Sequence, residues 1–109
     1  MVNIIASEEE FENLVETAKE KDQVIIVDFT ATWCGPCSRI APVFQKLSET
    51  YTSVIFVKVD VDNTPEISQK FKVQAMPTFC CIKEGNCIET ITGANEKLLT
   101  DLLKKYANN

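Results

Sequence analysis

The sequence predicts an α/β fold: a central mixed five-stranded sheet flanked by helices on both faces, with element order βαβαβαββα. Three observations predict it. The apolar, largely β-branched runs Val24-Ile25-Ile26-Val27 and Val54-Ile55-Phe56-Val57 read as strands buried on both faces. Segments of helical apolar spacing separate the early strands, so these pair in parallel through right-handed crossovers. The last two strand-like runs are parted only by Glu84-Gly85, which makes an antiparallel hairpin. A length of 109 residues fits one domain spanning 1–109, long enough to bury a core.

Taken in order, Val2-Asn3-Ile4-Ile5 is a short first strand. Ser7-Glu8-Glu9-Glu10 is a capping box, in which Ser7 accepts from the third helical amide and Glu10 reaches back. Phe11, Leu14, Val15 and Ala18 form the apolar stripe of the first helix, which ends in Lys19-Glu20-Lys21-Asp22. The second strand runs from about Val24 to Phe29. The second helix starts at a pair of cysteines, turns Ile40, Phe44 and Leu47 inward, and carries Pro42 where a lost hydrogen bond kinks the axis. Val54 to Val59 is the third strand. Asn63 or Thr64 before Pro65 opens a short helix with Ile67 and Phe71 inside. Thr78 to Lys83 and Asn86 to Thr92 form the hairpin. Asn95 caps a last helix with Leu98, Leu99, Leu102, Leu103 and Tyr106 on its apolar face.

Composition narrows the function classes. Hydrophobic residues at 45% and charged residues at 25% are ordinary for a globular domain. A net charge of −5 argues against nucleic acid, which calls for a basic footprint, and reads as a solvated surface. No apolar run approaches transmembrane length, so no membrane partner is expected. Met1 to Ile5 is too short for the apolar region of a signal peptide. A cytoplasmic location follows as the expectation, with a removed transit peptide as the alternative. Five cysteines are an odd number, and three of them crowd one strand region, which makes a poor disulfide framework. Zinc is not expected, because histidine is absent and Cys80, Cys81 and Cys87 form no second CxxC. No dinucleotide or flavin motif is present, so no cofactor is expected.

Chemistry concentrates at Cys34-Gly35-Pro36-Cys37, where a strand hands over to a helix. An ordinary thiol, with a pKa of ~8.5, is only about 3% thiolate at pH 7. Unpaired backbone N–H groups and the positive end of the helix dipole favour the thiolate at this position. Two residues three apart are neighbours in a helical first turn, close enough for their sulfurs to bond. Cys34, at the turn, is expected to be exposed and Cys37 covered, so that one attacks a foreign disulfide and the other resolves the mixed disulfide. Pro36 stiffens the turn, and Gly35 lets another backbone come close.

Other residues point to the same place. Asp28 ends a buried apolar run six residues before Cys34. Burial raises a carboxyl pKa and makes it a proton acceptor near neutrality; a strand-end Asp that faces solvent or caps a turn is the competing reading. Lys58, alone in the apolar third strand, either snorkels to the edge or pairs with Asp28. Trp33, beside a nucleophile, reads as a contact platform rather than core. Gly93-Ala94 reads either as a place for a peptide to approach or as a plain turn. Cys80, Cys81 and Cys87 read as small buried hydrophobes, with accessory redox or dimer-forming chemistry as the alternative. Cys80 and Cys81 point to opposite faces, and Cys87, beside the hairpin turn, is the one expected to be exposed.

Val27-Asp28-Phe29, Ala31-Thr32-Trp33-Cys34-Gly35-Pro36-Cys37, Ala41-Pro42, Val59-Asp60-Val61-Asp62, Met76-Pro77-Thr78-Phe79 and Gly93-Ala94 together resemble the thioredoxin family, in order and spacing, across nearly the whole chain. The resemblance implies strand order 1-3-2-4-5 and a protein-disulfide reductase. It implies that Cys34 is the nucleophile and Cys37 the resolving thiol, that Asp28 deprotonates Cys37 through water, and that Lys58 tunes Asp28. Gly35 and Pro36 then set the redox poise towards reduction. Met76-Pro77 is implied to be cis and to face the dithiol, and Trp33, Met76, Pro77, Gly93 and Ala94 to bind an extended substrate strand. The implied partners are disulfide-containing proteins and an external thioredoxin reductase, with the chain a monomer. Ala31 stands where some members carry a second tryptophan, and Arg39 where lysine is common. A glutaredoxin-like or isomerase-like enzyme and a dithiol binding module are the rival readings.

Overall fold

A computed structural model describes residues 1–107. Five strands, β1 (Val2–Ile4), β2 (Ile25–Thr30), β3 (Ile55–Asp60), β4 (Thr78–Lys83) and β5 (Asn86–Thr92), alternate with α1 (Glu8–Glu20), α2 (Gly35–Thr50), α3 (Pro65–Lys70) and α4 (Glu96–Tyr106). They form one mixed sheet in the order β1-β3-β2-β4-β5. β1 and β2 pair with β3 in parallel, whereas β4 runs antiparallel to both β2 and β5. β2 and β3 both reach one residue further than the sequence suggests, because Thr30 pairs with Asp60.

Local chemistry starts each helix. Ser7 Oγ accepts the Glu10 N–H at 3.1 Å, and Glu10 reaches back to the Ala6 amide, one residue before the amide a capping box would use. Asn95 Oδ1 accepts the Leu98 N–H at 2.9 Å. α3 begins on Pro65, and α2 runs through Pro42 without ending. Leu98, expected inside, is 46% exposed, because Leu99, Leu102 and Leu103 already fill the inner face of α4.

Period-two alternation along the strands divides the core in two. Val27, Phe29, Val57, Val59, Cys80 and Ile82 face α1 and α3, meeting Phe11, Ala18 and Ile67. Ile26, Phe56, Phe79 and Cys81 face α2 and α4, meeting Ile40, Phe44, Leu99, Leu102 and Leu103. Phe44 sits 5.1 Å from the Phe56 ring and 5.7 Å from the Phe79 ring, pinning α2 to the sheet. By the same alternation Asp28 and Lys58, paired in register, belong to the face that α2 covers. The second helix is thus held so that its N-terminus projects past the end of β2.

Candidate active site

β2 ends at Thr30, and a tight turn in which the Cys34 N–H donates to the Ala31 carbonyl at 3.2 Å leads into α2. Cys34 is the N-cap, and its Sγ accepts the Cys37 N–H at 3.2 Å. A sulfur therefore occupies the place that a Ser or Asp oxygen usually fills, and it satisfies one of the helix's orphan donors. Pro36, in the first turn, has no amide to leave unpaired. The Cys34 and Cys37 sulfurs are at bonding distance, with Cα atoms 5.3 Å apart, inside the range a disulfide spans. Cys34 Sγ also lies 3.8 Å from the Met76 carbonyl oxygen.

The expected contrast in exposure is absent. Cys34 is 6% exposed and Cys37 is 4% exposed. Ala31, Val61 and Met76 pack around the pair. What distinguishes the two is chemical: one sulfur receives a backbone donor, and the other sits a turn inside the helix. A side chain at Gly35 would meet the tip of the Arg39 side chain at 3.9 Å.

Asp28 is 1% exposed, and its Oδ1 has no hydrogen-bond partner among the described residues. Burial pushes its carboxyl from the ordinary 3.8 up to about 7, and the Lys58 ammonium opposes that rise. Lys58 is directly opposite Asp28 in the β2–β3 register and half-buried, and it acts across the strands rather than through an ion pair. An open cavity of about 270 Å³ lies beside this pair, lined by Thr30, Ala31, Cys37, Ser38, Lys58 and Asp60. One wall therefore carries the inner cysteine and the lysine that faces Asp28, with room for water.

The rim is built from three loops. Trp33 is 67% exposed, and its Nε1–H donates to Asp62 Oδ2 at 2.8 Å, which holds the ring over the turn after β3. Sequence alone signals Asp62 only as an acidic residue two positions past the end of β3. The Met76–Pro77 peptide bond is cis, and the Pro77 carbonyl accepts the Gly93 N–H at 2.8 Å. Gly93 has φ 101°, a conformation that L side chains rarely adopt, and nothing stands within 4 Å of where its side chain would be. Ala94 is exposed beside it and Met76 is half-buried. Trp33, Met76, Gly93 and Ala94 thus surround the end of the sheet at which the sulfurs lie.

Of the remaining cysteines, Cys80 and Cys81 are buried, and Cys87, beside the hairpin turn, is the exposed one. Cys80 and Cys81 do take opposite faces, and Cys81 is free and buried. Cys87 is exposed, and its sulfur is at bonding distance from that of Cys80. Among the described residues no cluster of three or more His, Cys, Asp or Glu could hold a metal ion, and no helix is long and apolar enough to cross a membrane.

Comparison with known proteins gives a consistent result. The family model described as Thioredoxin matches residues 2–105. Thioredoxin 1 of Plasmodium falciparum is 44% identical over 107 residues, covering 98% of this chain and 99% of its own. The thioredoxin of Coprinus comatus is 45% identical over 107 residues, covering 96% and 97%. Among solved structures, the Nicotiana alata thioredoxin NaTrxh superposes with a TM-score of 0.94 at 39% identity, covering 98% of this chain and 93% of its own.

Proposed function

From the premise that this chain belongs to the thioredoxin family, and is a thiol–disulfide oxidoreductase acting on disulfide-containing proteins, we propose the following division of the reaction among its residues. The Cys34 thiolate attacks a substrate disulfide, forming a mixed disulfide and expelling one substrate sulfur as a thiolate. Cys37 passes its proton through water to Asp28 and attacks the Cys34 sulfur. The substrate leaves fully reduced, and this chain is left with the Cys34–Cys37 disulfide. The observation that carries the reading is the Cys37 amide aimed at Cys34 Sγ at 3.2 Å on a helix N-terminus. That donor and the helix dipole lower the free energy of a thiolate at Cys34.

Asp28, with a carboxyl near 7, accepts a proton at physiological pH, and Lys58 opposite keeps it from rising further. Gly35 and Pro36 bring no charge between the sulfurs, so the poise favours the chain as a reductant. Trp33, Met76, Pro77, Gly93 and Ala94 receive an extended segment of the substrate, with Met76 offering its backbone as a strand would. The chain works as a single monomeric domain over residues 1–109 in the cytoplasm, and an external thioredoxin reductase returns it to the dithiol. The chemistry runs on sulfurs alone, without a bound cofactor.

Insulin-disulfide reduction tests the scheme. Turnover with NADPH and a thioredoxin reductase is the expected result, and turnover driven by glutathione alone would replace it with a glutaredoxin-like reading. The Cys37→Ser variant is expected to accumulate mixed disulfides through Cys34. Recovery of none would overturn the assignment of roles.

A further inference from the structure

A second sulfur pair lies on the β4–β5 hairpin, outside the site just described. The Glu84-Gly85 turn, with φ 52° and 82°, pairs Lys83 with Asn86 and Ile82 with Cys87. Strand alternation then puts Cys87 on the sheet face that carries Ile82 and Cys80. Cys87 lies diagonally across from Cys80, their Cα atoms 6.2 Å apart and their sulfurs at bonding distance. Their surroundings are opposite. Cys80 is 1% exposed, within the core that includes Val27 and Ile82, and Cys87 is exposed on the edge strand. The Thr90 hydroxyl stands 3.3 Å from Cys87 Sγ, where it can donate to a thiolate. Cys81 takes the other face of the sheet, and burial with the Glu89 carboxylate pushes its thiol up to about 11, which keeps it from exchange.

We propose that Cys80 and Cys87 form a second dithiol–disulfide couple, independent of Cys34–Cys37, that exchanges through Cys87 with low-molecular-weight thiols and disulfides of the glutathione class. In the oxidising direction the Cys87 thiolate attacks a small disulfide, forming a mixed disulfide and expelling one small thiolate. The Cys80 thiol loses its proton and attacks the Cys87 sulfur, expelling the second. Two protein thiols have then lost two electrons and two protons, and one small disulfide has become two thiols. Reduction reverses both steps with two small thiols. The partner is small because the residues around Cys87, from Lys83 to Ile88, are all exposed, and the recess they border, about 230 Å³ between Gly85, Ile82, Phe11 and Phe71, has room for a small thiol. The two couples do not exchange within one chain. Ile82, beside Cys87, is opposite Ile25 at the start of β2, whereas Cys34 follows the far end of that strand, on the order of 17 Å along it.

The full chain, equilibrated with reduced or oxidised glutathione, quenched in acid and alkylated, reports the count by intact mass. The expected result is five alkylated thiols in the reduced sample and one, Cys81, in the oxidised sample, with no glutathione retained. On a Cys34→Ser/Cys37→Ser background the count falls from three to one, and adding Cys80→Ser stalls the exchange with one glutathione on Cys87. Loss of only two thiols by the wild type overturns the proposal, and this count stands whether or not the variants fold. A stable glutathione adduct on Cys87 while Cys80 is present also overturns it, as do a bond mapped to Cys81 and a Cys80→Ser variant that takes up no glutathione.

Discussion

Two pairs of sulfurs, at the N-terminus of α2 and on the β4–β5 hairpin, have similar spans and different backbones. Their Cα separations are 5.3 Å and 6.2 Å. At α2 the backbone aims a free amide at Cys34 Sγ, and the dipole of a 16-residue helix adds to it. On the hairpin the strand dipoles alternate and nearly cancel, so Cys87 has a threonine hydroxyl and no comparable field. Proximity lets both pairs bond. Only the helix end aims a backbone donor at one sulfur of its pair, and only that pair sits beside an exposed tryptophan. Spacing alone therefore identifies a bond, and the backbone around it identifies a catalyst.

The largest test of this contrast removes the activated sulfur. Cys34→Ser replaces a thiolate with a hydroxyl that does not ionise at neutral pH, so insulin reduction is expected to fall by at least ~10³-fold. Thermal unfolding separates this from a folding defect, since a serine at the N-cap still accepts the Cys37 amide. Residual activity within tenfold of wild type would show that the hairpin pair can substitute, and would erase the distinction drawn above.

Asp28 sharpens the same comparison, because the hairpin pair has no buried carboxyl to serve it. The unfolded chain ionises this carboxyl near 3.8 and the folded chain near 7. Below 3.8 both states hold the proton, and the residue is neutral to stability. As pH rises through the window only the unfolded state gains charge, so stability falls, and the full cost is in place above 7. That separation corresponds to about 4 kcal/mol as an upper bound. Asp28→Asn is expected to stabilise the protein by about 2–4 kcal/mol at pH 8 and by nothing near pH 3.5, read from denaturant midpoints. Its disulfide exchange slows by about 10²-fold, the low end for a lost general base. A stabilisation that does not vary with pH would remove the raised carboxyl from the account.

How much of this was legible in the sequence follows from the range of the interactions. β-branched runs, the Ser7 and Asn95 caps and the Glu84-Gly85 turn are local signals, and they place β4, β5 and α4 correctly. Cys34 and Cys37 are legible because three residues make one helical turn. Asp28 is half legible: a carboxylate in an apolar run suggests burial, but only the register shows Lys58 opposite it. The Cys80–Cys87 contact is not legible, although the turn is. A two-residue turn puts Cys87 opposite Ile82, and reaching Cys80 takes the diagonal across the strands. The near-equal burial of Cys34 and Cys37 was also beyond sequence, because it depends on Ala31, Val61 and Met76 closing over both sulfurs.

Acidity gives a finer measure of the contrast. With its bonding partner removed, by Cys37→Ser in one variant and Cys80→Ser in another, each outer thiol is titrated by the pH dependence of its alkylation rate. Cys34 is expected to ionise at least one pH unit below Cys87, about 1.4 kcal/mol of thiolate stabilisation from the helix end. Equal titration would mean that the Cys37 amide and the dipole contribute nothing measurable.

The smallest expected effect is also the most selective. Cys87→Ser leaves the helix end, Asp28 and the rim around Trp33 untouched, and its site lies on the order of 17 Å of strand from Cys34. Insulin reduction with thioredoxin reductase should therefore remain within about twofold of wild type, since well-separated sites act additively. The same variant loses one sulfur of the hairpin pair and with it any electrons stored there. A drop of tenfold or more in turnover would mean that the hairpin couple feeds the catalytic one, and the separation between a catalyst and a store would fail.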